Sequence, residues 1–136
     1  TRRSSDLQKK VIVWGTGTPR REFLFVDDMA AASIFVHELD QCTFKKNTQK
    51  MQSHVNVGTG TDVTIKELAE SVKEVVGYNS KVIFDATRPD GSPRKLMNID
   101  LLKKLGWKSK TNLRSGLSIS YSDYLFNHVG SKENKL

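Results

Sequence analysis

Short β-branched and aromatic runs alternate along this chain with amphipathic stretches of helical period. Val11-Ile12-Val13-Trp14 is an apolar run closed by Gly15 and Gly17, which predicts a strand entering a turn. The apolar residues 23–26 predict a second extended piece. Met29, Ala32, Phe35, Val36 and Leu39 then recur at helical spacing, with Asp27 placed to accept from the first amides, so a helix is expected over residues 28–39. Residues 41–53 are polar and aperiodic and predict an exposed connection, after which His54-Val55-Asn56-Val57 predicts a strand.

Thr64-Ile65-Lys66-Glu67 has the form of a capping box, in which hydroxyl and carboxylate satisfy amides at a helix start. Ile65, Leu68, Ala69, Val72, Val75 and Val76 form one apolar stripe behind it, and Gly77 stands at the expected stop. Residues 81–84 predict a further strand. Asn98 is placed to cap a short helix closed by Gly106, and Asn112 to cap a last one carrying Leu113, Leu117, Tyr121, Tyr124 and Leu125 on one face. Strands interleaved with helices indicate an α/β class. The organisation expected is a polar, disordered arm over residues 1–10, one folded region over 11–126, and a polar tail over 127–136.

Composition narrows the function classes. At 136 residues and 37% hydrophobic content, the chain is one domain or a piece of one, with a modest core. Its single cysteine, Cys42, excludes an internal disulfide and has no metal-ligand spacing, which suits a reducing cytoplasm. His37, His54 and His128 lack such spacing too, so no metal is expected. No apolar run is long enough for a membrane span, and Thr1-Arg2-Arg3-Ser4-Ser5 does not open a signal peptide. The net charge of +7 comes from scattered lysines without aromatic interleaving, and reads as solvated surface rather than a nucleic-acid interface.

Candidate chemistry centres on the loop from Trp14 through Arg20-Arg21 to Asp27-Asp28. An indole plane and a planar cationic fork can stack on a base and clamp a pyrophosphate. Gly15-Thr16-Gly17 and Gly58-Thr59-Gly60 each follow an expected strand, but a dinucleotide fingerprint needs a third glycine where Arg20 and Val63 stand, so both read as tight turns. Asp27 and Asp28 read as helix-start residues complementing the dipole rather than as a catalytic pair.

The Trp14–Asp28 loop, Asn56-Val57-Gly58-Thr59-Gly60, and the stretch from Phe84 through Arg88-Pro89-Asp90-Gly91 to Met97, followed by Leu105-Gly106-Trp107, closely resemble the carboxyl-terminal part of the GDP-L-fucose synthase family. The resemblance runs from about Val11 to Leu125. It implies the carboxyl-terminal substrate-binding region of an extended short-chain dehydrogenase/reductase, with the main Rossmann half absent and one Rossmann strand and helix left without their sheet. The family's activity is NADP-dependent 3,5-epimerisation and 4-reduction of GDP-4-keto-6-deoxy-mannose.

By this resemblance Trp14, Arg21 and Asp90 correspond to substrate-binding residues, Arg21 on the diphosphate. Arg88 is a further candidate, standing where related epimerases and dehydratases often place a phosphate arginine. Asp90 also suits a simple turn, since Pro89-Asp90-Gly91 is turn chemistry. The family's Tyr-x-x-x-Lys pair is missing: Tyr78, Tyr121 and Tyr124 are followed four residues on by Val82, Leu125 and His128. No catalytic residue and no cofactor-binding residue is therefore assigned here. NADP is expected in the full-length enzyme and not on this chain alone, which is expected to be inactive by itself. The implied partner is a GDP-sugar, with neither nucleic acid nor membrane; the family homodimer is not assured for this portion. Two departures stand out: Phe25 where the family commonly has histidine, and Asn98 where it commonly has aspartate. A stand-alone nucleotide-sugar binding module and a sister enzyme with another nucleotide sugar are the alternatives.

Overall fold

The computed structural model describes residues 10–129. The chain divides into two compact units, one built from residues up to Arg21 together with Val63–Arg94, the other from Glu22–Asp62 together with residues from Lys95 onward. In chain order the elements are β1 (Lys10–Trp14), β2 (Arg20–Glu22), α1 (Val26–Glu38), α2 (Gln41–Asn47), β3 (Asp62–Thr64), α3 (Ile65–Val76), β4 (Lys81–Asp85), β5 (Arg94–Lys95), α4 (Asp100–Lys104) and α5 (Leu113–Tyr124). A π-helical turn, Leu125–Val129, follows α5. Of the expected arm and tail, residues 1–9 and 130–136 lie outside the described residues; Lys10 opens β1, and residues 127–129 belong to the π-helical turn.

In the first unit β1 and β4 pair in parallel, with Val11 opposite Val82, Val13 opposite Phe84 and Trp14 opposite Asp85. The expected capping box starts α3: Thr64 Oγ1 accepts from the Glu67 amide at 3.0 Å, and Glu67 Oε2 accepts from the Thr64 amide at 2.7 Å. Gly77 ends the helix in a left-handed cap. The α3 start is also tied to the chain after β1, because the Ile65 and Lys66 amides donate to the Pro19 and Gly17 carbonyls at 3.0 Å each. The apolar stripe of α3, apart from Val75, and the Val11, Val13 and Val82 side chains of the strands line a groove of about 440 Å³. On the other face of the pair, Ile12 and Ile83 are exposed.

In the second unit Ala32, Ile99 and Leu102 are the buried apolar side chains among the described residues, a small core as the composition implied. Phe25 lies against Gly116 of α5, its ring 3.2 Å from where a Cβ on that glycine would stand. Here Phe25 is a packing residue, which accounts for an aromatic at this position. The N-cap of α4 is Ile99, without a side-chain bond, rather than the expected Asn98, whose Oδ1 accepts from the Asp100 amide at 2.9 Å; Asn112 caps α5 as expected by accepting from the Ser115 amide at 2.9 Å.

Four further local expectations are corrected. The α1 N-cap is Phe25, without a side-chain bond, so Asp27 falls in the first turn; Asp28 is buried and accepts from the Lys110 and Thr111 amides at 3.1 and 2.8 Å. The connection over residues 41–53 contains α2, which Asp40 caps through the Thr43 amide at 2.9 Å. The second extended piece is Arg20–Glu22, not residues 23–26, and the strand expected at His54–Val57 is replaced by Asp62–Thr64. A strand exists where a ladder partner exists, and β3, β2 and β5 find one another in a three-stranded sheet of that order despite their polar sequences.

Candidate functional site

Trp14 and Asp85 end β1 and β4 side by side, so the loops 15–19 and 86–93 leave from the carboxyl edge of a parallel pair. Open α/β sheets bind ligands beyond that edge. Asp85 organises the second loop: its Oδ1 accepts from the Thr87 amide at 3.1 Å and the Thr87 hydroxyl at 2.6 Å, and its carbonyl accepts from the Arg88 amide at 3.2 Å. Arg88 Nε lies 3.9 Å from Asp85 Oδ2. The Arg88 guanidinium stands 5.1 Å from the Trp14 ring centroid, a cation–π distance, while the indole remains 71% exposed.

Asp90 reaches from the second loop to the first. Its Oδ1 accepts from the Thr16 amide at 2.9 Å and its Oδ2 from the Thr16 hydroxyl at 2.6 Å. The glycines on either side of Thr16 are required by this closeness. Both have positive φ, 90° and 78°; a Cβ at Gly15 would collide with Asp90 Oδ1, and one at Gly17 would sit 2.6 Å from the Phe84 ring.

Arg21 is half-buried. Its Nη1 donates to the Arg20 carbonyl at 2.7 Å, and its Nη2 is 3.1 Å from where a Cβ on Gly91 would stand, next to Asp90. Arg20 is partly exposed and 4.0 Å from Glu67. All four sequence-derived site residues thus fall in the first unit: Trp14 contacts Arg88, Asp90 holds the residue two beyond Trp14, and Arg21 approaches the loop that carries Asp90. Sequence reasoning missed Thr16 and Asp85. A threonine between two glycines carries no signal that its partner stands 74 residues away.

In both Gly-Thr-Gly turns, amides that could face a pyrophosphate have acceptors within the chain. In the first, the Thr16 amide already faces a carboxylate and the Gly15 amide donates to the Asp85 carbonyl at 2.9 Å. In the second, Glu22 Oε1 accepts from the Thr59 and Gly60 amides at 2.6 Å each, while Glu22 Oε2 takes the Met97 amide at 3.1 Å. An internal anion occupies each concavity where a pyrophosphate would bind. Among the described residues no group of three or more His, Cys, Asp or Glu is placed to hold a metal, and no helix is long and apolar enough to cross a membrane. Cys42 is free and exposed.

The sequence model of the NAD dependent epimerase/dehydratase family matches residues 2–58. The chain is 56% identical over 117 residues to GDP-L-fucose synthase of Escherichia coli K12, an alignment covering 86% of this chain and 36% of that protein. It is 51% identical over 119 residues to GDP-L-fucose synthase 1 of Arabidopsis thaliana, covering 88% and 34%. Among solved structures, a GDP-D-glycero-L-gluco-heptose synthase from Campylobacter jejuni, crystallised in the presence of NADPH, superimposes with a TM-score of 0.75 at 36% identity, covering 85% of this chain and 33% of that one. The chain thus spans about a third of the length of these relatives. In sequence and in fold the chain is similar to about a third of the length of the GDP-L-fucose synthases and their structural relatives, and its residues 2–58 match the NAD dependent epimerase/dehydratase family.

Proposed function

We propose that this chain is the nucleotide-sugar grip of a GDP-L-fucose synthase, holding GDP-4-keto-6-deoxy-mannose for NADP-dependent 3,5-epimerisation and 4-keto reduction. The observation that carries the reading is the convergence of Trp14, Arg21, Arg88 and Asp90 around two loops at the carboxyl edge of one parallel strand pair. The exposed Trp14 face receives the guanine. Arg21 supplies a two-pronged donor to the diphosphate, and Arg88 a second cation. Asp90 uses two of its four or so lone-pair sites on Thr16, leaving the others for ribose hydroxyls or the guanine N–H edge. The contribution to rate is positioning: the sugar is presented to hydride and proton donors carried outside this chain. NADP in the whole enzyme supplies that hydride, and the two Gly-Thr-Gly turns here do not hold it. A reducing cytoplasm suits the free Cys42, and homodimerisation is assigned to the whole enzyme.

Titration calorimetry with GDP-mannose as probe tests the grip. The wild-type chain is expected to bind, Arg21→Ala to bind at least about tenfold more weakly, and Arg21→Lys to fall between them, since an ammonium keeps the charge without the fork. No heat from the wild type, or equal affinity in Arg21→Ala, overturns the reading. In an NADPH-oxidation assay with the 4-keto sugar nucleotide the chain alone is expected to show no turnover. A self-contained nucleotide-sugar binder is the second reading, favoured by the presence of all four residues in one compact unit. It gains support if the remaining two-thirds of an enzyme of this family, supplied separately, does not restore turnover while GDP-mannose binding persists.

A further inference from the structure

We propose that Thr16 is a positioning residue of this grip, a latch that fixes the Trp14 loop to the Arg88–Asp90 loop; the proposal rests on the nucleotide-sugar reading above. The two halves of the aromatic–cation pair sit on different loops, so the place of the indole face depends on how those loops are joined. Thr16 joins them twice, through its amide to Asp90 Oδ1 at 2.9 Å and its hydroxyl to Asp90 Oδ2 at 2.6 Å.

Counting protons gives Thr16 its role. A threonine hydroxyl has one proton to donate and two lone pairs. The Asp90 carboxylate accepts only, so the proton goes there. The 2.6 Å contact between the Thr16 and Thr18 hydroxyls must then be donated by Thr18, and the Thr18 amide takes the remaining lone pair at 3.2 Å. The Thr16 oxygen is saturated within the protein and has nothing left for a ligand. It acts through Trp14, two residues before it, and through Asp90.

The latch also gives the grip a direction of motion. Two stacked layers on either side of a base need about 7 Å, twice the contact distance between flat carbon frameworks, whereas Arg88 and the indole are 5.1 Å apart. A base entering between them displaces one partner. The Trp14 backbone is fixed by β1 and the latch, while the Arg88 guanidinium sits at the end of a long rotatable side chain and lies 3.9 Å from Asp85, beyond hydrogen-bond distance, so Arg88 is the partner that yields. Nucleotide binding therefore removes a cation from the indole and changes its emission.

The test uses a Trp107→Phe background, in which Trp14 is the sole indole, with GDP as the probe. The parent is expected to bind GDP with a change in Trp14 emission. Thr16→Val, which keeps the shape and removes the hydroxyl, is expected to bind about tenfold more weakly with most of the emission change lost, and Thr16→Ser to restore both to within about twofold. A Thr16→Val chain that binds GDP and changes its emission as the parent does overturns the latch while leaving the nucleotide-sugar reading intact. If Thr16→Val fails to fold, Thr16→Ala, which also removes the hydroxyl and leaves Asp90 in place, is held to the same outcomes. Should the parent itself not bind GDP, the nucleotide-sugar reading fails. The latch is then judged on the ligand-free chain by NMR, where Thr16→Val must shift the Trp14 Nε1–H and Arg88 Nε–H resonances and Thr16→Ser return them; unchanged resonances overturn it.

Discussion

Glycine-rich turns attract anions because successive N–H groups point into one concavity. In this chain two carboxylates of its own fill such concavities, Asp90 against Thr16 and Glu22 against Thr59 and Gly60. Replacing Glu22 by glutamine leaves three backbone amides sharing a neutral, partly mismatched acceptor. The expected loss is about 2 kcal/mol of unfolding free energy, the scale of hydrogen bonds to a charged group. Urea unfolding measures it, and a loss below about 0.5 kcal/mol would show that water replaces the carboxylate freely. Asp28 makes a similar bond to the Lys110 and Thr111 amides at a buried site, so its residue type is explained by packing rather than by proton transfer. Trp14, Arg21, Arg88 and Asp90 were legible as candidates because their chemistry is written in their side chains and matched a family pattern. Thr16, Asp85 and Glu22 were not, since each is defined by a partner that only the fold brings near.

Elements whose signals are local were read well. The α3 helix carries its capping box, its stripe and its stop within a short stretch, and all three are observed. Thr64→Ala is accordingly expected to cost about 1 kcal/mol, seen as a lower urea midpoint with an unchanged slope. Elements defined by distant partners were not legible: β2 and β5 are polar strands, and nothing in Arg20-Arg21-Glu22 or Arg94-Lys95 announces a ladder. The α2 helix was hidden for a different reason, since its seven residues carry too short a pattern to establish a period. Its one local signal is the cap. The Thr43 side chain, and then its backbone amide, hold the Asp40 carboxyl below the usual aspartate value. With the folded value depressed, the cap's contribution is complete above the unfolded value of about 3.9 and is lost as pH falls through the folded one. Thr43 amide protection, corrected for intrinsic exchange, should therefore hold from neutral pH to about 5 and decline below about 4. Asp40→Asn should flatten that profile, and a wild-type profile that is already flat would remove Asp40 from the cap.

On the scale of the molecule, fold class followed from the interleaved elements and the family resemblance, but the division into two units did not. Each unit is assembled from two separated stretches of chain, so no composition shift marks the boundary. Parallel strands are ordinarily covered on both faces. Here the β1–β4 pair has α3 over one face and still leaves a groove of about 440 Å³ there, with Val11, Val72 and Val76 partly exposed. Water at such a surface is readily displaced by a flat apolar solute. The folded chain is therefore expected to enhance the fluorescence of 8-anilinonaphthalene-1-sulfonate without denaturant. Val72→Lys places a charge on the groove wall, and because Val72 is 37% exposed the ammonium reaches solvent without breaking the helix. It should reduce dye binding severalfold while moving the thermal midpoint by no more than about 3 °C. Equal dye binding by the two chains would assign the signal to a loosened core instead, since a dye in the groove must sense the wall and a dye in a molten interior need not.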